Sequence, residues 1–183
     1  MRALLLVLAL WMAGPAITHA AEARPGEYEL KAAFIFNFSQ FVEWPTNAFS
    51  SESDPMIIGV VGSDPFGPIL DRIVQDEKVR GRTLVVERYA RPNEIKRCHI
   101  LFVSKSLAAQ WPEILRAVID QPILTVSDMD RFSNRGGMIH LVTEKNLVRM
   151  RVNPEIARRA RLTISSKLLR LADNATRDGG ITP

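Results

Sequence analysis

Short apolar runs separated by amphipathic stretches constrain the fold of this chain more than any other feature. The runs lack polar alternation and occupy residues 56–61, 84–86, 100–103 and 123–126. Strands with this pattern are buried on both faces of a sheet. The stretches at 65–74 and 111–119 carry apolar side chains at helical spacing, which predicts crossover helices between parallel strands.

The pattern changes towards the C-terminal end. Residues 138–142 and 147–152 are separated by a hairpin-length gap, and Arg149 and Arg151 alternate with apolar residues in the second run. Such alternation is typical of a half-exposed antiparallel edge strand. The predicted fold is therefore a single α/β domain with a central mixed, mostly parallel sheet of about five or six strands, flanked by helices, with an antiparallel hairpin at one edge.

Three helices outside the crossovers are expected. Residues 28–42 are apolar at helical spacing, and Pro45 ends the run. The predicted core stripe of this helix is Leu30, Ala33, Phe34, Phe38, Phe41 and Val42. Ile35 and Phe36 lie off the stripe, so the helix either crosses the core or presents a second face to a partner. Two further helices are expected to begin at the capping sequences Asn153-Pro154 and Ser165-Ser166.

The first twenty residues have the composition of a secretory signal peptide. Arg2 supplies a positive charge, residues 3–12 form an apolar run, and residues 18–20 provide a cleavage site. The run is about half as long as a bilayer-spanning helix, so the mature chain is expected in the periplasm without a membrane span. The predicted segments are a signal peptide (1–20), a flexible N-terminus (21–27), an α/β domain (28–173) and a flexible tail (174–183).

Few side chains are suited to metal or redox chemistry. The single cysteine, Cys98, cannot form an intramolecular disulfide, and it stands beside His99 on an apolar run. Neighbours on a strand point to opposite faces, which prevents joint ligation of a metal ion. These two residues and His140 are interpreted as packing residues, and neither a metal site nor a cofactor is expected.

Residues 62–67 link a predicted strand to a helix and superficially resemble a phosphate-binding loop. They contain two glycines but lack the lysine and the spacing of such loops, and Asp64 would repel a phosphate. The sequence instead predicts that Asp64 is the N-cap of the following helix and that Pro65 is its first residue.

Four polar residues follow predicted parallel strands and define a candidate ligand pocket: Ser63, Asp64, Ser104 and Asp128. A periplasmic small-ligand module serving another membrane sensor is therefore an alternative function. A hydrolase is a further alternative, but Ser104 lacks the flanking glycines of a nucleophile elbow, and no catalytic residue is predicted.

The charge is most uneven in residues 145–170, which hold eight basic residues and one acidic residue. Such a segment suits an acidic protein, an anionic ligand or lipid headgroups, whereas nucleic-acid binding is not predicted because no aromatic residues interleave. The candidate docking residues are Arg149, Arg151, Arg158, Arg161 and Arg170, with Phe36 and Trp44 as apolar anchors. The alternative interpretation is a solvated basic surface with both aromatic side chains in the core.

Several segments together resemble the YfiR-like family. They are ELKAAFIFNF at 29–38, FVEWP at 41–45, GR at 81–82, CHILFVS at 98–104, TVSD at 125–128 followed by Phe132, GGMI at 136–139, and ISSKLLRLA at 164–172. The matches run in order through nearly all of the mature chain.

The resemblance implies a non-catalytic periplasmic regulator. It would bind the periplasmic sensor domain of an inner-membrane diguanylate cyclase and repress it, which lowers cyclic di-GMP and disfavours biofilm. The family's redox switch through intramolecular disulfides is not expected here, because Cys98 has no second cysteine in the chain. Self-association into a homodimer is left open.

Overall fold

The structure is a computed structural model that describes residues 25–177, so the predicted signal peptide at 1–20 lies outside the described residues. It is a single α/β domain. The helices are α1 (Pro25–Phe41), α2 (Pro68–Val74), α3 (Trp111–Val118), α4 (Pro154–Arg159) and α5 (Ser166–Arg177). The strands are β1 (Val42–Glu43), β2 (Met56–Val61), β3 (Lys78–Val79), β4 (Arg82–Tyr89), β5 (Ile100–Val103), β6 (Leu124–Ser127), β7 (Ile139–Glu144), β8 (Leu147–Val152) and β9 (Thr163–Ile164).

The main sheet has seven strands in the order β3-β4-β2-β5-β6-β7-β8. The five central strands are parallel to one another, and each edge strand, β3 or β8, pairs antiparallel with its neighbour in a hairpin. The predicted α/β class, mostly parallel sheet and hairpin β7–β8 are confirmed. The structure adds the two-residue strand β3 and a small second sheet in which β1 pairs with β9, elements too short to show a hydrophobic period.

The helices cover the sheet unequally. Apolar residues of α1, α2, α4 and α5 share one buried cluster with one face of the strands. Helix α3 lies on the other face, where Trp111 and Ile114 pack against Leu101 and Val103. The sheet is thus sandwiched between two layers, as its continuously apolar strands require.

The buried face of α1 differs from the predicted stripe. Ala32, Ile35 and Phe38 are fully buried, whereas Leu30 is 45% exposed. Most of this helix is apolar, so spacing alone could not choose among its faces. The choice also depends on Lys31, which is 2% exposed because it pairs with an acidic residue at the end of β6.

Side-chain caps are predicted for three helices, and two of these caps are found. The Asn153 side chain accepts a hydrogen bond from the Ile156 amide and the Ser165 hydroxyl accepts one from the Leu168 amide, as predicted. The prediction for Asp64 is wrong. Its carboxylate accepts from the Phe66 amide in a turn, and α2 begins only at Pro68, after Gly67 at a φ of 52°.

Both ends of the described chain are helical. Helix α1 begins at Pro25 and α5 ends at Arg177, so helix extends a few residues into the ranges 21–27 and 174–183 that were expected to be flexible. Within residues 25–177, none of the helices combines the length and apolarity needed to cross a bilayer.

Candidate functional site

A buried ionic cluster joins α1 to the carboxyl end of β6. Lys31 Nζ lies 2.8 Å from Asp128 Oδ2, and the Tyr28 hydroxyl donates to the same oxygen at 2.9 Å. The Lys31 and Asp128 side chains are 3% and 5% exposed. Burial, and then the Asp128 charge, raise the pKa of Tyr28, so its phenol remains a donor. One oxygen of Asp128, Oδ2, is therefore bound by two partners within the domain.

Glu27 extends this cluster to β7. It lies 2.6 Å from Lys31 Nζ and accepts a 2.6 Å hydrogen bond from Thr143 Oγ1. Burial raises the pKa of Glu27, but the hydrogen bonds from Lys31 and Thr143 outweigh it, and the net pKa is lowered. The carboxylate stays charged and ties the start of α1 to the C-terminal hairpin.

The other predicted pocket residues are also bound within the protein. Asp64 Oδ2 accepts a 2.7 Å bond from Arg88. Ser104 is 5% exposed. Its hydroxyl oxygen accepts hydrogen bonds from the amide and the hydroxyl of Ser106. The Ser63 amide donates to Ser106 Oγ. The residues follow β2, β5 and β6 at one edge, as expected, but their polar atoms bind one another or neighbouring turns.

His99 and His140 are buried in different settings. His99 is 3% exposed, its Nδ1 accepts from the Ile57 amide, and its Nε2 lies 3.2 Å from the Ala48 carbonyl oxygen. Burial is the main cause that lowers the pKa of His99 to about 4. His140 is 6% exposed, and its Nδ1 has no hydrogen-bond partner among the described residues. Burial, and then the Arg151 charge, lower the pKa of His140, so both rings are neutral at pH 7.

Cys98 is a packing residue two positions before the start of β5. Burial, and then the Glu87 charge, raise the pKa of the thiol to about 12, so the reactive thiolate is absent at neutral pH. A Cβ built on Gly59 would lie 3.4 Å from the Cys98 sulfur and 2.9 Å from the Tyr89 ring. Glycine at this position therefore lets the three groups pack closely.

The candidate docking arginines lie on two sides of the sheet. Met150 of β8 packs in the same cluster as Leu168 of α5, and side chains alternate along a strand. Arg149 and Arg151 consequently leave the sheet on the side opposite to α5. Arg158, Arg161 and Arg170 are exposed, and they belong to the segment with α4 and α5. The side of the sheet that these two helices cover is here called the helical side.

Some of these arginines already have acidic partners. Arg151 lies 2.9 Å and Arg149 3.8 Å from Glu144 across the hairpin turn, and Arg149 is only 17% exposed in its side chain. Arg158 pairs with Glu155 at 2.7 Å, but both side chains are about two-thirds exposed. Exposed pairs contribute little free energy, so Arg158 is available to a competing acidic partner.

The aromatic anchors are separated as well. Phe36 is half-buried against the main core cluster. Trp44 is 9% exposed, donates its indole N–H to the His99 carbonyl oxygen at 3.1 Å, and lies beside the hairpin β3–β4. Trp44 follows β1, which pairs with β9 between α4 and α5, whereas Phe36 lies in α1.

Sequence reasoning missed a cavity of about 480 Å³ at this hairpin. Its lining includes Trp44, Phe49, Arg80 and Arg82. The pattern that could have pointed to it is the Arg80-Gly81 turn, since both residues have positive φ, 53° and 80°, as in a tight hairpin. Nothing in the sequence indicates that residues 44–52 lie against this turn.

One comparison with known proteins gives a match. The sequence profile of the domain family described as YfiR/HmsC-like matches residues 28–173, which is most of the described chain. No curated protein matches the chain. Within the described part of the chain, no three His, Cys, Asp or Glu side chains are grouped to hold a metal ion.

Proposed function

Since the chain belongs to the YfiR/HmsC-like family, we propose that it is a periplasmic, non-catalytic regulator of an inner-membrane diguanylate cyclase. In this proposal the mature domain binds the periplasmic sensor domain of the cyclase and represses it, which lowers cyclic di-GMP. The observation that carries the proposal is the extent of the family match, 28–173. It spans the complete sheet and all helices up to the first half of α5.

The positions of the candidate catalytic side chains support a binding role. A catalytic carboxylate needs an oxygen available to a substrate, whereas the Asp128 side chain is only 5% exposed and its Oδ2 is held by Lys31 and Tyr28. Ser104 forms the cap of a short helical turn through Ser106. Both residues stabilise the carboxyl edge of the sheet.

Repression by binding requires a difference in affinity. The regulator must bind the inactive conformation of the cyclase more tightly than the active one, because equal affinities would shift no population. The exposed arginines on the helical side supply positive charge for an acidic sensor surface. Electrostatic complementarity of this kind accelerates encounter and orients the partners.

The proposal is tested by capture of the tagged secreted protein with its crosslinked membrane partners. Mass spectrometry is expected to identify a diguanylate cyclase, and deletion of the regulator gene is expected to raise cellular cyclic di-GMP. Complementation with the intact gene should restore the low level. Capture without a cyclase together with unchanged cyclic di-GMP after deletion would refute the proposal.

A different captured protein would favour the alternative function. A sensor kinase or receptor in place of the cyclase would assign the chain to a small-ligand module that serves another membrane sensor. The cavity beside Arg80 and Arg82 is the observation that supports this alternative.

A further inference from the structure

We propose that the cavity at the hairpin β3–β4 is a binding site for a small organic monocarboxylate with an apolar group. The site, here called the Arg82 cavity, encloses about 480 Å³ between residues 44–52 and the hairpin. This volume is within the range of sites for small molecules. The inference concerns the residues around Arg82 rather than the candidate docking arginines, and it does not depend on the identity of the protein partner.

Arg82 forms a preorganised wall of the cavity. Its guanidinium lies 3.8 Å over the Phe49 ring, and its Nη1 donates to the Ser51 and Asp54 carbonyl oxygens, both at 2.8 Å. The ring and these two bonds fix the guanidinium plane, while Nε and Nη2 have no acceptor among the described residues. A carboxylate can accept two parallel hydrogen bonds from such a fork.

The aromatic side chains behind Arg82 are equally constrained. Phe49 stacks on the His99 ring at 4.3 Å with an interplanar angle of 15°. His99 is bound through both ring nitrogens, and the Trp44 indole donates to its carbonyl oxygen. The wall is therefore built before any ligand arrives, which reduces the entropy lost on binding. Trp44 provides an apolar surface for the remainder of the ligand.

Arg80 supplies a second, movable cation. Among the described residues its acidic contact is Glu43 at 3.4 Å, and the two side chains are 49% and 63% exposed. Such a pair is weak, so a ligand carboxylate can replace Glu43. Glu52 also lines the cavity and repels additional negative charge. The charge arrangement therefore favours a monocarboxylate over phosphate or a dicarboxylate.

Phenylacetate is a suitable probe because it joins one carboxylate to one apolar ring. Titration of the secreted protein is followed through the indole N–H signals, with Trp44→Phe used to assign the signal of Trp44. The Trp44 signal is expected to move saturably. The Trp111 signal serves as an internal control, because this side chain is 1% exposed and donates to the Arg135 carbonyl oxygen on the other side of the sheet.

Two comparisons test whether the ligand carboxylate and Arg80 contribute to binding. Phenylacetamide, which has the same shape without the charge, should bind at least about 10-fold more weakly, since charge-assisted bonds to arginine are the stronger kind. Arg80→Asn should weaken phenylacetate binding by about 10-fold while keeping the fold, because asparagine tolerates the positive φ of this turn. Arg116→Asn, an exposed residue of α3, is the matched control and should bind as the parent protein does.

Three results would overturn the proposal. They are the absence of a saturable Trp44 shift up to about 10 mM phenylacetate, equal binding of phenylacetamide, and unchanged affinity in the Arg80→Asn variant. The Arg80→Asn variant should still capture the protein partner when its phenylacetate binding is weakened. This result separates the inference from the proposed function.

Discussion

Lys31 and Asp128 are the residues whose burial places the strictest demands on the fold. Each is nearly excluded from water, and each remains acceptable only because the other compensates its charge. Glu27 also pairs with Lys31, Tyr28 donates to Asp128, and Thr143 donates to Glu27. An ionic cluster of this kind specifies how α1 lies on the sheet, whereas apolar contacts alone would permit several rotations of an almost wholly apolar helix.

Removal of one member of the pair should be costly. Asp128→Ala is expected to destabilise the domain by about 3 kcal/mol, because it leaves the Lys31 charge buried with less compensation. Lys31→Met with Asp128→Ala should cost less than the sum of the single changes. Urea unfolding of the two single variants and the double variant measures the coupling, with Asp130→Ala at an exposed neighbouring position as the control. Additive effects would contradict a direct interaction.

His99 makes the stability of the domain depend on pH. Its pKa is about 4 in the folded protein, lowered first by burial, with Arg97 and Arg82 acting in the same direction and Asp54 against them. The unfolded state, with a pKa of about 6.5, takes up a proton first as the pH falls. Stability should therefore fall from pH 6.5 towards pH 4.

Between pH 7.5 and pH 5 this residue should account for roughly 2 kcal/mol of lost unfolding free energy. The measurement is urea unfolding at several pH values, compared with His99→Gln, which should flatten the dependence attributed to this position. His140→Gln serves as a comparison, because the lowered pKa of His140 acts in the same direction. A pH dependence that survives unchanged in His99→Gln would show that other groups cause it.

At the scale of elements, the hairpins at the two edges are organised by residues with positive φ. In β7–β8 the turn residues Lys145 and Asn146 have φ values of 50° and 66°, as in the two-residue turns that match strand twist. In β3–β4 the turn is Arg80-Gly81. Lys145 and Arg80 are the less favoured of these residues, because each bears a Cβ without the local hydrogen bonding of asparagine.

Changing Lys145-Asn146 to Asn-Gly should stabilise the domain by about 0.5–1 kcal/mol, because both new residues favour positive φ. Thermal unfolding should show a higher midpoint for this variant. Asn146→Ala is the opposing control and should lower the midpoint, since alanine is strained at this φ. A lower midpoint for the Asn-Gly variant would indicate that contacts of the native turn side chains outweigh backbone conformation.

At the scale of the whole molecule, the helical side and the opposite face differ in the charges they offer. The chain carries a formal net charge of only +4, so a basic surface depends on local clustering. Arg158 of α4, Arg161 in the turn after it and Arg170 of α5 are exposed on one side, whereas Arg149 and Arg151 lie across the sheet beside Glu144. The first set is consequently the better candidate for docking to an acidic partner.

Charge reversal tests this assignment. Arg158→Glu combined with Arg161→Glu should weaken capture of the partner, most strongly at low salt, while folding stability changes little because the residues are exposed. The matched control is Arg72→Glu combined with Arg116→Glu, which introduces the same charge change at exposed positions of α2 and α3. Equal effects of both pairs would attribute the loss to net charge, and normal binding by the first pair would exclude this surface.

Much of the architecture follows from patterns that are local in sequence. The apolar run at 100–103 is wholly buried as β5, and Asn153-Pro154 starts α4, because strand burial and helix capping depend on a few adjacent residues. The strand β3 could not be predicted in this way. It contains two residues, which is too short for a period and is defined only by pairing with β4.

The sequence by itself determined the α/β class, the parallel core and the family resemblance, since each rests on patterns carried by neighbouring residues. The tertiary structure decided the partners of its charged groups. It buried Lys31 against Asp128, placed Arg82 over Phe49, and divided the C-terminal arginines between two sides of the sheet. These arrangements depend on how distant segments meet, and a charged side chain gives no local indication of whether it will face solvent or a compensating partner.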